Sequence, residues 1–271
     1  MPELPEVETT RRGIEPHVKG RRIVAADVHE HRLRWPVART LAGKVQGQRV
    51  LAVERRAKYL LLRLEHGTLM LHLGMSGSLR VLPKTTPRIT HDHVDLVLDD
   101  GKLLRFNDPR RFGSLKLIEG ELDEEPLLKH LAPEPLEPGF DGEYLFRITR
   151  KRRVAIKLLI MNGRLVTGVG NIYASEALFR AGIRPKRAAK GLKRVECDRL
   201  AAAIRAVLES AIGFGGTTLR DYVSADGSPG YFRRELFVYE RADEPCRVCS
   251  TPIKHFTQGQ RSTYYCPTCQ T

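Results

Sequence analysis

Residues 94–106, VDLVLDDGKLLRF, decide how the first half of the chain is read. Val94–Leu98 and Lys102–Phe106 are short runs of strand-forming residues. Asp100-Gly101 between them is a hairpin turn, because an Asp-Gly pair accepts the positive φ angles that a tight turn demands. The pattern repeats upstream, where Tyr59–Leu64 and Thr68–Leu73 flank His66-Gly67, and Arg22–Val28 makes a further run. Short strands punctuated by turns from Arg21 to about Ile118 predict an antiparallel sandwich or barrel. Ahead of them, Glu6 to Val18 reads as a helix, with acids at the positive end of the helix dipole and Arg11 and Arg12 further along.

Past Ile118 the composition changes. Residues 119–142 are acidic and hold Pro126, Pro133, Pro135 and Pro138, which predicts an interdomain linker with little regular structure. The periodicity then turns helical, at about 143–149, 154–162, 171–181 and, alanine-rich and longest, 195–213. Residues 216–234 form a Gly-, Ser- and Asp-rich loop, long for a compact domain, and loops of that length are usually functional or disordered. The resulting fold class is α+β. Residues 1–120 make a helix plus antiparallel β-sandwich domain, 121–142 a linker, 143–234 a helical domain, and 235–271 a small C-terminal module.

A chain of 271 residues is long enough for about two domains, and 41% hydrophobic with 29% charged residues is a globular composition. No apolar run approaches the roughly 18 residues needed to span a bilayer, and the N-terminus lacks the basic-then-apolar pattern of a leader, so the expected location is the cytoplasm. With 46 Lys+Arg against 32 Asp+Glu, the net charge of +14 points to a polyanionic partner. The excess concentrates in residues 147–194, where fourteen basic side chains face the single acid Glu176, a net +13. Charge alone leaves open a solvated helix face or an acidic lipid surface in place of nucleic acid.

Cys246-x2-Cys249, then sixteen residues, then Cys266-x2-Cys269 matches the four-cysteine zinc pattern. Four thiolates close a tetrahedral Zn2+ shell and leave no position for substrate, which makes the metal structural. Lys254, His255, Arg261, Tyr264 and Tyr265 lie between the pairs, so the metal would brace a hairpin offering basic groups to phosphate. Cys197, on the long helix, reads as a small buried hydrophobe. Gly168-Val169-Gly170-Asn171 precedes a helical pattern. Free backbone N–H groups at a helix start bind phosphate, although such a turn also simply joins helices. At the other end, the residue after Met1 is small, so Met1 is removable and Pro2 would then present a secondary amine with an α-amine pKa of roughly 8. Such an amine can attack a sugar anomeric carbon, with Glu3 beside it to move protons. On residue types alone the plainer reading, Pro-Glu pairs that open a helix, is favoured.

Taken together, MPELPEVETTRRGIEP (1–16), RRAKYL (55–60), HLGMSGSLR (72–80), NDPRRFG (107–113), GVGNIYASE (168–176) and the four cysteines closely resemble the formamidopyrimidine-DNA glycosylase family, in order and over nearly the whole chain. The opening PELPEVE separates it from the sister endonuclease VIII group, which shares the helix-two-turn-helix and zinc-finger layout. The resemblance implies a monomeric base-excision repair enzyme. It would remove 8-oxoguanine and ring-opened purines from duplex DNA and then cut the strand on both sides of the emptied sugar, with one structural Zn2+ and no obligate protein partner. It implies Pro2 as the Schiff-base nucleophile, Glu3 as acid and base, Lys58 in β-elimination and Arg261 in δ-elimination. Met75, Arg110 and Phe112 would fill the void left by a flipped nucleotide. His72, His91, Lys151, Arg152 and Asn171 would contact the DNA backbone, and residues 217–224 would be the lesion-recognition loop. Glu240 departs from the family, standing where relatives often have glycine, and Asn162 where an acid or glutamine is common. Without the resemblance, Lys58 and Arg110 read as surface charges, and Met75 and Phe112 as sandwich core. Three rivals remain on the sequence: specificity for oxidised pyrimidines, a non-enzymatic zinc DNA-binding protein, and an RNA-binding module, which lacks here the usual aromatic stacking motif.

Overall fold

The computed structural model describes residues 2–216 and 232–271, in two compact units, 1–129 with 214–231 and 130–213 with 232–271. The first unit opens with α1 (Leu4–Val18) and continues through β1 (Ile23–Val28), α2 (Leu41–Val45), β2 (Val50–Arg56), β3 (Tyr59–Leu64), β4 (Thr68–His72), β5 (Ser78–Pro83), β6 (Asp92–Leu98), β7 (Lys102–Asn107) and β8 (Ser114–Ile118). The strands form two antiparallel sheets, ordered β1-β6-β7-β5 and β2-β3-β4-β8. They share one apolar core. Leu60, Leu62, Leu69 and Leu71 of one sheet meet Val94, Leu96, Leu104 and Phe106 of the other, with Val7, Ile14 and Val18 of α1. Because the side-chain period of a strand is two, the fixed register puts these residues inward and leaves the strand ends and turns for other work.

The sequence pattern places the helix start at Glu6, whereas α1 begins at Leu4. Pro5 sits in the first turn, where a missing N–H is harmless, and the Glu6 carboxylate reaches back to accept from the Glu3 backbone N–H at 2.8 Å. The pattern did not single out β2, β5, β8 or α2. Strand β2 ends in Glu54-Arg55-Arg56, charges that break an apolar alternation yet are satisfied in the fold. Arg55 pairs with Glu8 of α1 at 3.1 Å.

The second unit carries α3 (Gly142–Thr149), α4 (Ile156–Ile160), α5 (Asn171–Arg180), α6 (Arg194–Gly213) and the hairpin β9 (Lys254–Gln258) and β10 (Arg261–Tyr265). Helix α6 packs on α3 and α5, and α5 on β10. Asp141 caps α3 by accepting from Tyr144 N–H at 2.7 Å. The hairpin closes through Gly259 and Gln260, both at positive φ, as the twist of a two-residue turn requires. Among the described residues, no helix is long and apolar enough to cross a membrane.

Candidate nucleic-acid interface and metal centre

The candidate residues fall into two groups, one in each unit. In the first unit Pro2 is buried, and Glu3, 2% exposed, is the N-cap of α1. Lys58 lies in the β2–β3 turn. The register pairs Tyr59 with His72, and the Lys58 charge acts on that imidazole. His72 is pushed down to about 4, first by burial and then by the Lys58 and Arg34 charges, so it is neutral at physiological pH. Gly74 N–H donates to His72 Nδ1 at 3.0 Å, which leaves the proton on Nε2 and makes that atom a donor. A neutral N–H donor suits a phosphate oxygen and does not titrate away above pH 5.

Met75 sits in the β4–β5 turn, half-buried; Arg110 and Phe112 occupy the β7–β8 turn and are exposed, Phe112 at 43%. The Arg110 guanidinium lies over the Phe112 ring at 4.9 Å. A phenyl ring turned to solvent under a cation belongs to a surface, so Phe112 is not part of the sandwich core. His91, exposed with φ +71°, ends the loop before β6. That loop is tied down from beneath. Buried Arg105 clasps Asp95 through two bonds of 2.7 and 2.8 Å and donates to the carbonyls of Thr86 and Pro87, while Asn107 donates to Thr90 O at 3.0 Å. The sequence hint of this support is charged residues at inward strand positions.

In the second unit Lys151, at φ +60°, and Arg152 are exposed after α3. Gly170 caps α5 and Gly168 takes φ +81°, so the glycines do shape the start of the helix that opens with Asn171. The Asn171 amide is oriented on both sides. Its Oδ1 accepts from Lys157 Nζ at 2.7 Å, and its Nδ2 donates to Ser262 O at 2.9 Å. Lys157, fully buried, also donates to Thr263 Oγ1 at 2.8 Å and Ser262 O at 3.0 Å, so one ammonium joins α4, α5 and β10. The residue before Ser262 is Arg261, exposed at the start of β10. Sequence reading missed Lys157. An isolated lysine in an apolar helical run, IKLLI, is its one signal.

Glu176, the lone acid of the basic segment, is 1% exposed and accepts from the N–H groups of Phe237, Val238 and Tyr239 at 2.9, 3.0 and 2.9 Å. It is thus a structural anchor, and the +13 surface keeps its charge. Residues 217–224, expected to form the lesion-recognition loop, lie outside the described residues, as does Met1.

The sulfurs of Cys246, Cys249, Cys266 and Cys269 all lie within 4.8 Å of one another, with Cys246–Cys269 at 3.9 Å and Cys249–Cys266 at 3.4 Å. Sulfurs at tetrahedral corners about 2.3 Å from a zinc ion are about 3.8 Å apart, and a disulfide would need about 2.05 Å. The cluster therefore fits Zn2+ and not cystine. Val248 N–H donates to Cys246 Sγ and Cys269 N–H to Cys266 Sγ, both at 3.4 Å, the outer bonds that orient metal-bound thiolates. Cys197 is buried, and burial pushes its thiol upward, consistent with an inert packing role.

A capped N-terminal helix on a two-sheet core, with a helical unit closed by a four-thiolate hairpin, defines a zinc-finger protein of the helix-two-turn-helix class. Family models bear this out in sequence. "Formamidopyrimidine-DNA glycosylase N-terminal domain" matches residues 1–115, "Formamidopyrimidine-DNA glycosylase H2TH domain" residues 131–223, and "Zinc finger found in FPG and IleRS" residues 243–271. The chain belongs to the formamidopyrimidine-DNA glycosylase family. It is 61% identical over 270 residues to the formamidopyrimidine-DNA glycosylase of Thioalkalivibrio sulfidiphilus, covering 100% of both chains. Among solved structures, MutM (Fpg) of Thermus thermophilus is similar with a TM-score of 0.89 and 42% identity, covering 99% of this chain and 98% of that one. A Lactococcus lactis Fpg variant in complex with Fapy-dG-containing DNA has a TM-score of 0.92 and 34% identity, with 99% of each chain covered.

Proposed function

We propose that this chain repairs duplex DNA by excising oxidised purines, 8-oxoguanine and formamidopyrimidines, through the amine of Pro2, and then nicks the strand by β,δ-elimination. It is a DNA glycosylase with abasic-site lyase activity, and damaged duplex DNA is its partner. It works as a monomer in the cytoplasm, on the nucleoid. The observation that carries the reading is the PELPEVE terminus folded as the buried, capped start of α1, with Glu3 at the cap next to Pro2.

Once Met1 is removed, the Pro2 nitrogen attacks C1′ of the damaged nucleotide and the bond to the base breaks, the departing base taking up the proton that the nitrogen gives up. Glu3 then protonates O4′ as the C1′–O4′ bond opens. The nitrogen lone pair then forms a C=N+ bond at C1′. Loss of a C2′ proton breaks the C3′–O bond, a step assigned to Lys58, and a second elimination, with loss of the C4′ proton, breaks C5′–O while Arg261 holds the leaving phosphate and offsets its charge. Met75, Arg110 and Phe112 occupy the space the flipped nucleotide leaves. His72, His91, Lys151, Arg152 and Asn171 hold the backbone through N–H donors and charge. Cys246, Cys249, Cys266 and Cys269 hold the Zn2+, which supplies folding energy to the hairpin that carries Arg261.

Borohydride trapping tests this. On a duplex with 8-oxoguanine opposite cytosine, the processed protein should yield a covalent adduct mapped to Pro2, and the Met1-retaining form none. Trapping only on an oxidised-pyrimidine duplex would move the specificity to pyrimidines, and tight binding without adduct on either duplex would leave a non-enzymatic DNA-binding protein.

A further inference from the structure

One buried carboxylate that the chemistry above leaves unused lies where three candidate loops meet. Asp108, 0% exposed, follows β7. Its Oδ1 accepts from Ser76 Oγ at 2.7 Å and from Arg110 N–H at 3.3 Å, and its Oδ2 accepts from Gly113 N–H at 2.7 Å. Arg110 N–H is also 3.2 Å from Ser76 Oγ. The Asp108 backbone N–H donates to His91 O at 3.0 Å, and its carbonyl meets His93 Nε2 at 2.8 Å. Ser76 is the neighbour of Met75, and Arg110 to Gly113 brackets Phe112. One side chain therefore holds both turns that carry the void-filling residues.

We propose that Asp108 is a positioning residue for lesion opening, fixing the Met75 turn and the Arg110–Phe112 turn to each other as a single preformed wedge. The inference rests on the void-filling reading of Met75, Arg110 and Phe112. A wedge ordered before binding loses less conformational freedom when it enters the stack, so the gain appears in duplex opening. It does not appear in bond chemistry at Pro2. The Ser76 hydroxyl completes the link, since it donates to Asp108 and accepts from Arg110 N–H, while Met75 is half-buried and Arg110 and Phe112 are exposed.

The test compares two substrates with Asp108→Asn and Ser76→Ala. Asparagine keeps the volume but turns one acceptor into an N–H2 group facing an O–H or N–H donor. Single-turnover excision from an 8-oxoguanine duplex should fall about tenfold for Asp108→Asn and about threefold for Ser76→Ala. Borohydride trapping on a single-stranded abasic oligonucleotide, which needs no opening, should stay within about twofold. In a Met75→Ala/Arg110→Ala/Phe112→Ala background, Asp108→Asn should add nothing further. An equal loss on both substrates would assign Asp108 a general structural role, and undiminished duplex excision, or a full additional loss in the wedge-less background, would also overturn the proposal. If Asp108→Asn does not fold, Ser76→Ala carries the same comparison. Duplex excision unaffected by the triple substitution itself would overturn the void-filling reading and this proposal with it.

Discussion

The two units hold their candidate residues by different physics. In the first, Pro2, Glu3 and the turns bearing Lys58, Met75 and Phe112 hang on a core shared by two four-stranded sheets and α1. In the second, the cluster around the zinc hairpin is small, with Phe179, Val238, Cys246, Ile253 and Cys266 as its buried members, two of them metal ligands. What it lacks in apolar area it replaces with a metal, with Lys157 donating to three oxygens, and with Glu176 accepting three backbone N–H groups. A module too small to bury a core is stabilised by directed bonds. The lesson is that the stability of the first unit should tolerate the loss of single polar bonds, and that of the zinc module should not.

The largest effect that probes this contrast is at the N-terminus. Retaining Met1 should lower excision by at least about a thousandfold while DNA affinity stays within about tenfold, measured by single-turnover cleavage and anisotropy. Equal losses of both would mean that the first unit's fold, and not its amine, had been damaged. Next, chelating the zinc should cut DNA affinity by about a hundredfold. Trp35, the single tryptophan of the chain, lies in the first unit and reports on it alone. Its thermal transition should be unchanged, and a shifted one would show that the two halves are not separately supported.

Lys157→Met should weaken DNA binding by about tenfold, because Asn171 and Thr263 each lose a buried partner. Since Lys157 is buried, the salt dependence should keep its slope, whereas Arg261→Ala should reduce that slope by about 0.9. A slope that falls for Lys157→Met would make it a direct phosphate ligand. In the first unit, His72 stands at about 4 in the fold against 6.5 for a free imidazole. Its folded value is depressed, so between pH 6.5 and pH 4 the unfolded chain binds a proton that the fold refuses, and stability falls as pH is lowered. His72→Gln should therefore flatten the loss between pH 7 and pH 5 by roughly 1–2 kcal/mol, read from urea midpoints. An unchanged pH profile would mean that the imidazole is charged in the fold. The smallest effect is at Glu240, held at φ +58°. Glu240→Gly should stabilise the second unit by about 1 kcal/mol, seen as a raised melting midpoint.

The same contrast explains what could be read from sequence. Strands β3, β4, β6 and β7 and helices α3, α5 and α6 were legible because apolar periodicity and turn chemistry agree along them, as in residues 94–106. The four cysteines were legible because metal geometry imposes spacing. Strand β2 was not, since its Arg55 is satisfied by Glu8, far away in sequence. The roles of Lys157, Glu176 and Asp108 were hidden for the same reason. Each is a polar residue whose value lies in partners that only the folded chain brings near. Glu240 shows the converse, a residue noticed only as a departure from relatives, whose positive φ explains why glycine suits that position.

The backbone approach at Gly74 sets how the two turns of the first unit can be re-engineered. A Cβ at Gly74 would stand 2.4 Å from Gly113 N and 2.5 Å from Phe112 C, and a Cβ at Gly113 would stand 2.7 Å from His72 O. Neither turn can accept a side chain at its contact point without displacing the other, so the pair behaves as one cassette. Positions 75, 110 and 112 lie outside that contact, so a substitution there changes what the turns present without altering the mount. Transplanting either turn onto or from this scaffold therefore means exchanging 72–80 together with 107–113, because either half alone brings a shape its neighbour was not built to meet.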